Sequence, residues 1–379
     1  MRSETTLKPQ DNILRYDITN IRMTGEDFEV KGKWKIIKPI FKNLPVHMAL
    51  LHTGQVIGIG GSGNNQKKLE KWDKPEIFTP DYTDNTDGTI EEIEDNGITG
   101  DIFCTGHAFL PDGKLFLAGG THKYDGLFGF FPPFAGLDHT YIFDPETTKF
   151  TKKEDMKHGR WYPTCVMLAN GDIATFSGLT KGFPWLIFWE NELFSFEKGR
   201  WSKLEGADKF LPLYPRIHLL PSGELFYAGS YNTHMTFPFT LYGFKIGTFK
   251  PGWKKWKKLP YPKETARQEG ASVLLPLLSE ENYQARVILI GGGDTFARSA
   301  TKTVEMIEFS ESRDADSLPK YRPIESMENP RYYVYPVILP DQNILVIGGK
   351  KGIMEIIQME IRIALIKKLE IPDIKKMRF

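Results

Sequence analysis

The sequence predicts an all-β protein, a propeller of repeated antiparallel blades, on three observations. The first is a phrase that recurs six times. It reads "HMALLHTGQVIGIGGSG" from His47, "GHAFLPDGKLFLAGGTH" from Gly106 and "TCVMLANGDIATFSGL" from Thr164. It returns as "RIHLLPSGELFYAGSY" from Arg216, "ASVLLPLL…ARVILIGGGDT" from Ala271 and "YPVILPDQNILVIGGKK" from Tyr335. The second is the grammar of each copy: an apolar strand, a tight turn, a second apolar strand, then a Gly pair or its remnant. Glycine in the turn supplies positive φ, and the apolar runs suit strands buried on both faces. The third is the interval, roughly fifty to sixty residues, which suits one four-stranded blade per copy. A β-sandwich also alternates strands and turns, but it does not repeat one phrase six times.

Taken in order, residues 1–31 form an N-terminal extension and residues 32–352 the propeller. "GKWKII" (32–37) is expected as a strand lying where it would close the ring. Third strands are expected in "HTYIFDPETTKF" (139–150) and "NELFSFEKGRW" (191–201), and "LSEENYQA" lengthens the turn of the fifth copy. Between the strands of the second blade lies the insertion "HKYDGLFGFFPPFAGLD" (122–138). Its Phe128, Phe130, Phe131 and Phe134 either line a ligand-binding face or cover the neighbouring blade as core. After Gly352 the composition shifts to isoleucine and lysine, with no further glycine. In this divergent tail, 353–379, residues 353–360 are expected to add a last strand and 360–369 a short amphipathic helix ending before Pro372.

Composition narrows the function classes. A net charge of +1 argues against a general nucleic-acid binder, because counterion-driven binding needs clustered Lys and Arg. Two cysteines cannot build a disulfide framework for 379 residues. No window approaches the run of apolar residues a membrane span needs. The first twenty residues lack the apolar core of a signal peptide, which reads as cytoplasmic at face value; a trimmed leader would read the same way.

"FLPDGKLFLAGGT…YIFDPETTKF" resembles a kelch repeat. With "DIFCTG" (101–106), "GRWYPT" (159–164) and "LYPRIHLLPSGELF" (213–226) beside it, the chain resembles the galactose oxidase and glyoxal oxidase family of copper radical oxidases, from about residue 34 to 350. The resemblance implies a seven-bladed pattern of which six blades are recognisable. It also implies that Cys104 and Tyr162 hold the family's thioether-linked pair, with Tyr162 ligating copper and carrying the radical. Members of the family are often secreted. On residue chemistry alone, Cys104 is equally a buried free thiol, and Cys165 is read only that way.

The pattern also breaks. The family's second tyrosine is followed by histidine one blade later, whereas Tyr333 is followed by Val334. Arg331 to Asp341 spans ten positions, as Arg160 to Asn170 does, so Tyr333 is not equated with that tyrosine. No histidine follows His234, and the copper site is incomplete in this chain. Among the eight histidines only His107, close after Cys104, invites a site. The family's stacking tryptophan has no match after the third Gly pair, and Trp185 lies too far on. "TDNTDGTIEEIE" (83–94) imitates a calcium loop with Thr83 where aspartate is needed, and reads as a hairpin. "PGWKKWKKLPYPK" (251–263) reads as a solvated outer strand rather than a nucleic-acid surface.

Two functions follow as expectations. The first is a non-catalytic relative of the oxidases, whose propeller binds a carbohydrate or a protein and which needs no cofactor. The alternative is a copper-dependent oxidase that converts an alcohol or aldehyde and dioxygen to the oxidised product and hydrogen peroxide.

Overall fold

The computed structural model describes residues 37–351 and 364–366, apart from 44, 64, 66, 68–73, 82, 84–85, 95, 125–134, 182–188, 230–232, 237–239, 244, 295–298, 310–317 and 340–342. The strand at 32–37, the phenylalanine cluster of the insertion and most of the tail therefore fall outside the described residues.

Every copy of the phrase becomes the first two strands of one antiparallel sheet. Sheet one orders His47–Leu50, Val56–Ile59, Glu76–Thr79 and Thr89–Glu92; sheet two orders Gly106–Phe109, Leu115–Ala118, Thr140–Asp144 and Lys149–Lys152. Sheet three holds Thr164–Met167, Ile173–Phe176, Glu192–Ser195 and Arg200–Lys203, and sheet four Ile217–Leu219, Leu225–Tyr227, Gly247–Phe249 and Lys257–Lys258. Sheet five is Ala271–Leu274, Ala285–Ile290, Val304–Phe309 and Tyr321–Ile324. Sheet six has Tyr332–Ile338, Ile344–Lys350 and, as its third strand, Ala364–Ile366. That third strand comes later than expected and sits inside the span read as helix. Residues 363–366 are a short continuous apolar run, which a buried strand accommodates as readily as a helix.

The turns follow from glycine. Gly54, Gly113, Gly171 and Gly223 have φ of 81°, 80°, 87° and 77°. Each donates its N–H to the carbonyl of the leucine three residues back, at 2.8–3.0 Å. That geometry matches the right-handed twist of the flanking strands.

The second strand of each sheet is buried on both faces, so its side chains alternate between two neighbours. Leu115 and Leu117 join sheet two to sheet one, with Ile57 and Phe143. Phe116 and Ala118 face the other way and join it to sheet three, with Ile173 and Phe194. Further clusters join three to four (Phe176, Leu225, Phe249), four to five (Phe226, Val287, Ile307) and five to six (Ile288, Met306, Val346). The first strands of sheets two, three and four lie side by side, as do those of five and six. This is the all-β, sheet-after-sheet architecture the repeats predict.

The Gly pair closes the packing. Gly119 and Gly120 have φ of 86° and 136°, and an added Cβ would lie 2.4 Å from the Arg160 carbonyl oxygen or 2.3 Å from that of Asp101. Both oxygens belong to backbone that cannot swing aside. Gly120→Ala is therefore expected to cost about 1–3 kcal/mol, read as a lower denaturation midpoint with an unchanged slope.

Candidate functional site

A non-glycine residue in the left-handed region stands two or three residues before the first strand of sheets two to five, Cys104 (φ 66°), Tyr162 (64°), Tyr214 (45°) and Glu269 (53°), and at the second residue of sheet six, Tyr333 (55°). Such a conformation costs roughly 1–3 kcal/mol and persists only where the surroundings enforce it. The enforcement is partly backbone. Tyr162 N–H donates to the Cys104 carbonyl at 3.0 Å, Tyr214 N–H to the Tyr162 carbonyl at 2.8 Å, and Tyr333 N–H to the Glu269 carbonyl at 2.7 Å.

Buried arginines supply the rest. Arg160, two residues before Tyr162, is fully buried and pairs with Glu192 at 2.8 Å. It also donates to the Ser177 and Glu190 carbonyls. Arg267, two residues before Glu269, pairs with Glu305 at 2.7 Å and donates to the carbonyls of Gly291 and Thr303. Arg331 stands two residues before Tyr333 and donates to the Gly348 carbonyl.

The result is one convergent cluster. The Tyr162 ring lies flat between Trp161, at 3.7 Å and 8° between rings, and Tyr214, at 4.5 Å and 18°. Burial raises the Tyr162 pKa far above the usual phenol range; the Cys104 thiol raises it further by proximity and a side-chain hydrogen bond, and Glu269 and Tyr333 add to the shift. Cys104 is completely buried. The sequence-expected pair is thus together, one residue from each of two successive sheets. Cys165 is also buried, beside Thr175, and burial pushes its thiol up to about 12, the environment of an inert thiol.

Tyr333, 43% exposed, and Glu269, also exposed, form the open side of the cluster. Surrounding protein still raises the Tyr333 phenol to about 12 and lifts the Glu269 carboxyl above its ordinary range. Spacing sets Tyr333 apart from the family's second tyrosine; its phenol acts on Tyr162 electrostatically. Tyr214, Glu269 and Trp161 were missed as site residues. Their signal was a place two or three residues before a first strand, visible in "RWYPT", "LYPR" and "RQEG". A tryptophan does stack on the candidate radical tyrosine, but it is its own neighbour.

His107 lies in the first strand of sheet two with its ring 5.3 Å from that of His47 in sheet one, at 80° between planes. The calcium-like stretch contains the strand Thr89–Glu92, and Asp81 upstream accepts from Thr83 and Thr86. Trp256 donates to the Ala207 carbonyl and Lys257–Lys258 is the exposed outer strand of sheet four, as the spacing of tryptophan and lysine predicts.

A family model described as glyoxal oxidase N-terminus matches residues 82–355. The chain belongs to that family. It is 26% identical over 348 residues to the aldehyde oxidase GLOX of Vitis pseudoreticulata, covering 86% of this chain and 61% of that protein. Its fold resembles that of a fungal alcohol oxidase of the AA5 family solved in complex with copper. The TM-score is 0.61 at 17% identity, over 83% of this chain and 60% of that one. The chain therefore spans about three fifths of the length of each.

The family implies copper, and the residues here fit it in part. Tyr162 beside Cys104 provides an oxygen donor with an adjoining sulfur. Glu269 and Tyr333, which act on Tyr162 electrostatically, are oxygen donors as well. His47 meets the hydroxyl of Tyr214, not that of Tyr162. Copper(II) favours imidazole, which the described residues do not bring to Tyr162, so no step is routed through the metal.

Proposed function

We propose that this chain carries the tyrosine–cysteine half of the active site of a copper radical oxidase acting on an alcohol, a carbohydrate hydroxyl among them, or an aldehyde. The contact between Cys104 and Tyr162 carries this reading, and membership of the glyoxal oxidase N-terminal family supports it over a non-catalytic binding role. Copper, when bound, supplies the one-electron partner that a two-electron oxidation needs beside a tyrosine.

The chain's own residues do the rest. Joining Cys104 Sγ to the ring carbon next to the Tyr162 hydroxyl breaks one S–H and one C–H bond. Two electrons and two protons leave, and dioxygen takes them as hydrogen peroxide. The flat stack of Trp161 and Tyr214 covers both faces of the Tyr162 ring and shields it from water. Glu269 and Tyr333 border the side from which substrate reaches the hydroxyl.

Thiol titration under denaturing conditions tests the pair. Before copper, two thiols are expected; after aerobic copper treatment one remains, Cys165. Tyr162→Phe should keep both. Two thiols in the treated wild type would remove the basis of the proposal.

A further inference from the structure

A second donor group shares Tyr214 with the tyrosine stack, and its two histidines take no part in the chemistry above. We propose that His47, His107 and Tyr214 form a binding site for one divalent transition cation, zinc or copper, distinct from the Cys104–Tyr162 pair. The three residues come from sheets one, two and four. The site stands whether or not Cys104 and Tyr162 join.

Geometry is the first argument. Zinc–nitrogen bonds of about 2.0–2.1 Å place the centroids of two imidazoles on one tetrahedral ion about 5 Å apart. His47 and His107 are separated by 5.3 Å. The same bond lengths set neighbouring ligand atoms about 3.3 Å apart. His47 Nε2 and Tyr214 Oη are separated by 3.3 Å.

Hydrogen bonding is the second. Tyr214 Oη spends its one proton on the Thr105 carbonyl at 3.0 Å, so the contact with His47 has Nε2–H donating, and Nδ1 carries no proton. Among the described residues neither ring nitrogen of the half-buried His107 has a hydrogen-bond partner. When the cation binds, the His47 ring proton moves to Nδ1, freeing Nε2, while Tyr214 Oη keeps its proton on the Thr105 carbonyl and offers a lone pair. A fourth position remains for water.

The other donor group, Asp138, His139 and Asp155, is already engaged. Lys181 holds Asp138 at 2.6 Å, Tyr141 meets His139 at 2.9 Å and Lys152 meets Asp155 at 3.2 Å.

The test is titration of the chelator-treated full chain with cobalt(II), followed by displacement with zinc(II) and, separately, copper(II). One equivalent of cobalt with tetrahedral visible bands is expected, displaced by either ion. His107→Gln and His47→Gln should each weaken binding more than about tenfold while keeping the metal-free melting curve. Tyr162→Phe and Cys104→Ala should leave it intact. No tetrahedral cobalt, binding indifferent to both histidines, or binding lost in Tyr162→Phe would each overturn the site. The last outcome would instead place the metal on the proposed oxidase residues, and thiol titration reports on that pair independently.

Discussion

Arg160→Ala is expected to destabilise the protein by about 3–5 kcal/mol and to prevent Cys104 from joining Tyr162. The guanidinium is fully buried and makes two contacts to Glu192, at 2.8 and 3.2 Å, with further bonds to the Ser177 and Glu190 carbonyls. Truncation would leave the Glu192 carboxylate, 3% exposed, with little more than the Lys157 N–H. An uncompensated buried charge is the costly outcome, more so than loss of the pair itself. Arg160→Met combined with Glu192→Gln should therefore recover part of the loss. Arg160→Lys should not, because one ammonium cannot reach the carboxylate and two carbonyls together. Tyr162 is two residues away and its backbone is strained, so releasing the arginine releases the stack. Urea denaturation reads the stability and thiol titration the second effect; a loss below about 1 kcal/mol would contradict the role given to Arg160.

Acid should unfold the protein through its buried histidines. Burial lowers the pKa of His47 to about 3, with His107 adding to it, and that of His218 to about 4, with Arg216 adding to it. His107 shifts the same way by burial. The unfolded chain takes up protons near 6.5, and the folded one resists them. The unfolded state thus binds more protons across this window, so stability rises with pH there. It is complete above about 6.5 and falls continuously as the pH drops toward 4. Urea midpoints measured between pH 7.5 and 4 should show this slope, and His218→Asn, which keeps a polar partner for Ser272 Oγ (2.7 Å from the ring), should flatten it. Equal slopes in the two proteins would rule out the histidine as a cause.

Local pattern made the sheets legible. First strands begin at His47, Gly106, Thr164 and Ala271, where the repeated phrase begins, and third strands fall inside 139–150 and 191–201. Short apolar runs were ambiguous, because a few turns of helix and a few residues of strand bury the same side chains. The tail was misread for that reason: Ala364–Ile366 pairs with Ile344–Val346 as strand.

The site was legible where a motif carried it and hidden where only assembly could. Cys104 and Tyr162 sit in the two most distinctive phrases. Tyr214 and Glu269 do not, and their importance arises from equivalent positions of successive sheets meeting at one place. Tyr214 touching His47 joins sheets four and one across 167 residues, which no local window contains. Tyr333 shows what spacing leaves out: it counts residues along one sheet and says nothing of which groups of other sheets act on them.

The most direct measurement is a tandem mass spectrum of proteolysed protein after copper loading in air. The account predicts one linked peptide pair, two hydrogens lighter than its parts, with the bond at Cys104 and Tyr162 and with Cys165 free. Separate peptides with an alkylated Cys104 in a copper-loaded sample would contradict it.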